Sequence, residues 1–106
     1  MHSTLEQLVA HRAAIGACFL DVRKPGWVRL IRKRISMMGI HNCALGQIFG
    51  SFHRGAHELG LGVYHTCQLG FSVRTFELGA DTEAYARYYR ALNSAWENEV
   101  QRRRSA

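Results

Sequence analysis

The sequence predicts a mainly α-helical protein, a single compact domain of three to four helices. Apolar residues recur at intervals of three and four along residues 4–22 and 82–100, the spacing of amphipathic helices. A chain of 106 residues has room for one hydrophobic core. At most one short β-hairpin is expected, around residues 61–78, where glycines separate short apolar runs. We therefore expect one helical domain over residues 1–101, followed by a frayed basic tail at 102–106.

The first predicted helix covers residues 4–22. Ser3 and Glu6 have the spacing of a capping box at its start. Pro25-Gly26 should end it, because proline disfavours helix in the preceding residue and glycine readily adopts turns. A short basic surface helix is predicted next, attached to the core by Trp27. Its outer faces carry four cations: Arg29, Arg32, Lys33 and Arg34.

The next predicted helix starts at Asn42, a good N-cap residue, and ends near Gly60, a candidate C-cap. Gly46 and Gly50 are four residues apart and should share one face. Glycine in a helix costs about 1 kcal/mol relative to alanine, so this helix depends on tertiary contacts. The pair predicts a place where another backbone or a large ring approaches closely.

The last predicted helix begins at Asp81 or Thr82, either of which can cap it. Its apolar stripe is expected to be core and comprises Tyr85, Tyr89, Leu92, Trp96 and Val100. Tyr88 lies beside this stripe and is expected at the surface. Tyrosine, tryptophan and arginine dominate the energy of many protein interfaces, so Tyr88 is a candidate contact residue.

The charge is unevenly distributed. The net charge is +6, and no acidic residue lies between Asp21 and Glu58. This interval predicts a binding surface made by Arg23, Lys24, Trp27, Arg29, Arg32, Lys33 and Arg34. Such a surface could attract phosphates or an acidic protein, and the alternative is a solvated face that only aids solubility.

Composition argues against several classes of function. No stretch approaches the roughly 18 apolar residues of a membrane span, and no secretory signal pattern is present, so we expect no membrane partner and a cytoplasmic location in a bacterial host. Cys18, Cys43 and Cys67 are an odd number at wide spacing, which favours reduced and mostly buried thiols. No phosphate loop, dinucleotide fingerprint or nucleophile with an assigned base occurs, so neither enzymatic activity nor a cofactor is expected.

A zinc site is the one metal hypothesis that the spacing allows. His53 and His57 are four residues apart and would face the same way on a helix, and His65 and Cys67 could supply further ligands. The alternative assigns these residues to the surface or to packing. Neither a Cys-x-x-Cys pair nor the metalloprotease pattern is present, so packing is the preferred interpretation.

The order of several short motifs resembles a group of uncharacterised proteins from actinobacteria and their bacteriophages. The motifs are Leu20-Asp21, Pro25-Gly26-Trp27, Cys43-x-Leu45-Gly46-Gln47-x-Phe49-Gly50, Leu69-Gly70-Phe71 and an aromatic helix ending in Trp96. The resemblance covers roughly residues 15–98 and implies no known activity, cofactor or catalytic residue. Members are often acidic, so the basic segment 23–34 is a departure.

These observations give three functional hypotheses. The first is a small non-enzymatic phage or actinobacterial accessory protein that binds a host macromolecule, in particular a protein, through the basic segment. The second is weakly specific nucleic-acid binding through the same residues, without a recognition helix or helix-turn-helix pattern that would read bases. The third is a small zinc-binding domain.

Overall fold

The computed structural model describes residues 4–73 and 81–106, and this part of the chain is mainly helical, without strands. It contains five α-helices, where the sequence predicts three to four. They are α1 (Thr4–Arg23), α2 (Ala44–Phe49), α3 (Phe52–Glu58), α4 (Val63–Gln68) and α5 (Thr82–Arg104), with a 3-10 helix (Trp27–Leu30) after α1.

Helices α1 and α5 form the scaffold on which the other elements pack. The Arg12 guanidinium donates to the Tyr88 hydroxyl over 2.9 Å near their starts. Asp21 and Arg103 are joined by an ion pair of 2.8 Å near their ends. Contacts therefore follow the same order along both helices, which means that α1 and α5 run parallel to each other. Antiparallel neighbours need only a short loop, whereas these two helices require the long connection that carries α2 to α4.

Three aromatic rings fill the centre of the core. The Trp96 ring on α5 stacks on Phe71 with centroids 5.3 Å apart, and it meets the edge of Trp27 at 5.9 Å. All three side chains are buried. The indole N–H of Trp96 donates to the Gly70 carbonyl over 2.7 Å, and that of Trp27 donates to Asp21 over 2.9 Å. Both indoles are therefore buried with their single donor satisfied, which burial of a polar group requires.

The predicted basic helix after Pro25-Gly26 is wrong beyond one short turn. The 3-10 helix ends at Leu30, and Ile31 is extended, with φ −82° and ψ 102°. The backbone N–H groups of Arg32 and Lys33 donate to the Gln47 side chain instead of to a preceding turn. A side chain distant in sequence thus replaces the helical hydrogen bonds, and Arg32, Lys33 and Arg34 lie on non-helical backbone with a bend at Lys33.

The predicted helix from Asn42 to Gly60 is divided into two. Cys43, not Asn42, caps α2, and its Sγ accepts from the Gly46 backbone N–H over 3.2 Å. The break occurs at Gly50, whose φ of 102° is incompatible with a continuing helix. Ser51 then caps α3 by accepting from the Arg54 N–H over 3.1 Å. Each short helix therefore has its own side-chain cap.

Helix α4 replaces the first strand of the predicted hairpin around 61–78, and residues 74–78 lie outside the described residues. Thr66 and Cys67 are neighbours in sequence and both are buried. A strand would direct them to opposite faces, whereas a helical turn can bury both.

Helix α5 begins where the sequence predicts, since the Asp81 carboxylate accepts from the Ala84 N–H over 3.0 Å. The predicted stripe is rotated slightly: Tyr88 is buried, while Tyr85 and Tyr89 are half-buried. The helix also continues to Arg104, so the predicted frayed tail at 102–106 is wrong for its first three residues. Ion pairs of Arg102 and Arg103 with Glu99 support this last turn.

Gly46 and Gly50 differ in role, although the sequence predicts the same one for both. A Cβ on Gly46 would lie 2.4 Å from the Ile40 carbonyl oxygen and 2.6 Å from that of His41. A Cβ on Gly50 would meet nothing within 4 Å. The prediction that another backbone segment approaches closely is thus confirmed at Gly46 and wrong at Gly50. At Gly50, glycine permits the positive φ that ends α2.

We predict that Gly46→Ala lowers the free energy of unfolding by about 3 kcal/mol or more, because the new methyl would overlap backbone that cannot rotate away. Gly62→Ala is the matched control: its φ is −84° and a Cβ there would meet no atom within 4 Å. Urea denaturation of both variants measures the difference. Equal stability of the two proteins would contradict the packing of α2 against residues 40–41.

Asp21 and Arg103 fasten the ends of α1 and α5. The Asp21 carboxylate accepts from Arg103 Nε at 3.0 Å and Nη2 at 2.8 Å, while Arg103 Nη1 donates to Glu99 Oε1 at 2.8 Å. The guanidinium also lies 5.7 Å from the centre of the Trp27 ring. Hydrogen bonds from Arg103 hold the pKa of Asp21 below its ordinary value of 3.8. The ionised carboxylate is therefore the form that the fold stabilises.

We predict a pH-dependent loss of stability in Asp21→Asn. Because the folded-state pKa of Asp21 lies below the unfolded value, its stabilisation is complete at neutral pH and disappears as the pH falls through the folded-state pKa. The variant should be less stable by about 1 kcal/mol at pH 7, a modest value because the carboxylate is half-exposed, and should converge with wild type near pH 2. Urea denaturation between pH 2 and 7 measures this. A stability difference independent of pH would contradict the ion pair.

Candidate functional site

Residues 31–37, which we call the strap, carry three of the seven predicted binding residues on non-helical backbone. Ile31, Ile35 and Met37 are buried, while the three consecutive cations between them are exposed: Arg32, Lys33 and Arg34. The apolar side chains therefore hold the strap against the core, and the cations point to solvent.

The Gln47 side chain fixes the cationic part of the strap. Its Oε1 accepts from the backbone N–H groups of Arg32 and Lys33, both at 2.9 Å. Its Nε2 donates to the carbonyls of Lys33 and Asn42, both at 3.0 Å. The Gln47 amide thus makes four hydrogen bonds to the backbone. It binds both the N–H and the C=O of Lys33, as a neighbouring β-strand would.

Helix α5 holds the strap from the other side. Glu97 accepts from the Ile35 N–H at 2.6 Å, and Asn93 accepts from the Met37 N–H at 2.7 Å. The Arg104 guanidinium donates to the Ile31 carbonyl. Side chains from α2 and α5 therefore fix the strap backbone along its length, and this makes the position of its cations well defined.

Six of the seven predicted binding residues are at the surface. All the cations of the set are exposed: Arg23, Lys24, Arg29, Arg32, Lys33 and Arg34. None of them forms an ion pair with an acidic side chain in residues 4–73 or 81–106. The Arg23 guanidinium lies 5.3 Å from the Phe19 ring centre, and the Lys24 amine lies 5.8 Å from that of Phe49. The charge of all six cations is therefore available to an anionic partner.

The two aromatic residues predicted to make contacts at the surface are core residues. Trp27 and Tyr88 are each 1% exposed. The Trp27 indole N–H is bound to Asp21, and the Tyr88 hydroxyl accepts from Arg12. The predicted roles of Trp27 and Tyr88 as contact residues are therefore wrong, because neither ring reaches the surface.

The zinc candidates do not converge. His53, His57 and His65 are exposed, whereas Cys67 is fully buried and its Sγ lies 3.4 Å from the Arg12 guanidinium. Within residues 4–73 and 81–106, no three His, Cys, Asp or Glu side chains are grouped so that they could hold a metal ion.

The thiols also differ in their surroundings. Cys43 and Cys67 are buried as predicted, while Cys18 is exposed. Burial raises the pKa of the Cys43 thiol, which opposes formation of a nucleophilic thiolate at the start of α2. Its role is to cap the helix.

Sequence reasoning missed two contributors to the surface, Gln47 and Arg90. Gln47 belongs to the Leu-Gly-Gln motif, but its partners lie 14 and 15 residues away on irregular backbone. Arg90 on α5 and Arg34 on the strap line the same depression of about 380 Å³, together with Asn93, Ser94 and Glu97. Nothing in the sequence around Arg90 indicates that Arg34 lines the same depression.

Comparison of the chain with known protein families, curated proteins and solved structures finds no match. None of the described helices is both long enough and apolar enough to cross a membrane.

We predict that Gln47→Ala lowers the free energy of unfolding by about 1–2 kcal/mol, because four hydrogen bonds to the backbone are lost and water replaces them only in part. Gln68→Ala on α4 is the control, since Gln68 is exposed. Chemical denaturation compares the two variants. Amide hydrogen exchange at Arg32 and Lys33 should also become faster in Gln47→Ala, and unchanged exchange there would contradict the assigned hydrogen bonds.

Proposed function

We propose that this protein binds nucleic acid through the cations of the strap and its flanking residues. The observation that supports the proposal is the rigid backbone of the strap, which carries Arg32, Lys33 and Arg34 in succession without acidic partners in the described chain. A backbone already held by hydrogen bonds loses little conformational freedom when its side chains contact phosphates, although the side chains themselves still become ordered. Each neutralised phosphate releases counterions, which makes the affinity strongly salt-dependent.

Burial of the aromatic candidates favours nucleic acid over a protein partner. Protein interfaces are enriched in aromatic residues and centred on an apolar core. With Trp27 and Tyr88 in the core, the six exposed residues of the predicted surface are all cations. A surface of this composition is complementary to a regular array of phosphates.

A host protein is the second candidate, and exposed apolar side chains next to the strap favour it. Met38 is 62% exposed and Ile40 is 51% exposed. They line a groove of about 150 Å³ with Phe52, His53 and Tyr89. An acidic partner with an apolar projection would match this combination of charge and groove. The resemblance to actinobacterial and phage proteins makes an actinobacterial lysate the source in which such a partner would be sought.

Binding of a fluorescent 20-base-pair DNA duplex tests the first candidate. We predict measurable affinity at 50 mM salt and a linear decrease of log affinity with log salt, by about 0.9 per phosphate contact. Changing Arg29, Arg32, Lys33 and Arg34 to Glu should abolish binding at 200 mM salt and flatten the salt dependence.

Single substitutions supply the matched comparison. Arg32→Gln and Arg34→Gln should each reduce the salt slope by about one contact. Arg54→Gln, an equal change of charge at an exposed arginine on α3 that pairs with Glu58, should leave it unchanged. Absence of binding by wild type at 50 mM salt would rule out nucleic acid. Equal effects at all three positions would show that net charge, not the strap, is responsible.

A further inference from the structure

The solvent face of α5 is a polar ridge directly opposite its buried face. Tyr88, Leu92 and Trp96 mark the buried side. At 100° per residue, the exposed side chains between Arg87 and Gln101 fall within about a quarter of the helix circumference, centred opposite that side. The ridge comprises Arg87, Arg90, Ser94, Asn98 and Gln101, all of which are exposed.

The composition of the ridge is the one with which helices contact DNA bases. Asn and Gln side chains can bond bidentately to adenine, Arg to guanine, and Ser to either. Arg87 and Arg90 form no ion pair with an acidic side chain among the residues that the structure describes. Arg102 adjoins the ridge but pairs with Glu99 at 3.2 Å, and Glu83 is an exposed acid on the same side, one turn before Arg87. The free positive charge of the ridge is therefore concentrated at Arg87 and Arg90.

The surface on either side of the ridge is recessed. A depression of about 460 Å³ separates it from the start of α1; Ala10 and Glu6 of α1 and Ala91 and Ala95 of α5 line it, so its walls are small side chains with one acid. On the other side, the depression of about 380 Å³ lies between the ridge and Arg34 of the strap. Glu97 also lines it, with one carboxylate oxygen bound to the Ile35 N–H. The ridge thus projects between two recesses, and the recess on the strap side has cations on both walls.

This shape and chemistry fit a B-form DNA major groove. The groove is about 12 Å wide and admits a single helix, whereas the major groove of duplex RNA is too narrow for side chains to read. The recesses would give the two phosphate backbones room beside the helix, with Arg34 placed against one of them. From Arg87 to Gln101 the helix advances about 21 Å, which corresponds to roughly four to six base pairs.

We infer that α5 is the base-contacting element of a DNA-binding surface and that the ridge reads sequence in the major groove while the strap contacts phosphates. This inference rests on the proposed function, and it adds the element, the groove and the preference for B-form DNA. It also supplies the recognition helix that sequence patterns do not identify.

The test is selection from a pool of DNA duplexes with a randomised central segment of 12 base pairs. Wild type should enrich a motif of roughly four to six base pairs. The triple variant Ser94→Ala, Asn98→Ala, Gln101→Ala keeps every charge, so it should retain affinity for unselected duplex but lose at least about fivefold in affinity for the enriched motif. Gln68→Ala is the control and should enrich the same motif. Circular dichroism verifies folding, and Asn98→Ala alone is the fallback if the triple variant unfolds.

The outcomes separate this inference from the proposed function. Loss of the preference by the triple variant, with unselected binding retained, supports both. Binding without any enriched motif, or a motif that survives in the folded variant, overturns the ridge as a reader and leaves the strap proposal intact. Equal affinity for RNA duplex of the same sequence also overturns it. Absence of DNA binding by wild type at 50 mM salt overturns both.

Discussion

The strap is non-helical backbone between helices, with a bend at Lys33, and its polar groups have no strand partner in the described chain. Polar backbone groups nevertheless favour hydrogen-bond partners, and the partly buried N–H groups of Ile35 and Met37 would each cost about 1–3 kcal/mol if left without one. Gln47 from α2, and Asn93 and Glu97 from α5, provide these partners. The same bonds attach α2 to α5 through the strap. The attachment of α2 to α5 and the position of the strap cations therefore depend on one requirement, satisfaction of the strap backbone by side chains.

The sequence predicts the long helices and the single core because their signals are local. Periodicity identifies α5, and the Asp81 cap is visible in the chain itself, whereas the buried face of α1 consists largely of small residues, and Leu8 and Ile15 are exposed. The middle of the chain is less predictable, since its structure depends on distant partners. Gly46 and Gly50 look equivalent in sequence, but one packs against residues 40–41 and the other adopts a positive φ. Helical spacing around Trp27 predicts a basic helix, yet the backbone of Arg32 and Lys33 is bonded to Gln47 and is not helical.

In the candidate site, too, some features follow from local sequence signals and others depend on distant contacts. The cations could be predicted as exposed because arginine and lysine are rarely buried without partners. The burial of the aromatic residues could not be predicted, because Trp27 on its short turn and Tyr88 at the edge of a stripe are each compatible with core or surface. The tertiary contacts with Asp21 and Arg12 decide for the core. The ridge on α5 can be identified in the sequence only after the buried face of that helix is known. Tyr88 belongs to the buried face, and the exposed face lies opposite it.

The attachment of α5 to α1 also has a consequence for how the protein folds. Asp21 and Arg103 are 82 residues apart, Arg12 and Tyr88 are 76 apart, and Ile35 and Glu97 are 62 apart. Contacts at such separations raise the contact order and slow folding relative to simple helical bundles, because long loops must close before any contact forms. During synthesis, Trp27 and the apolar face of α1 emerge well before the helix that covers them. The nascent chain therefore exposes apolar surface until α5 follows, and chaperones act on chains in this condition.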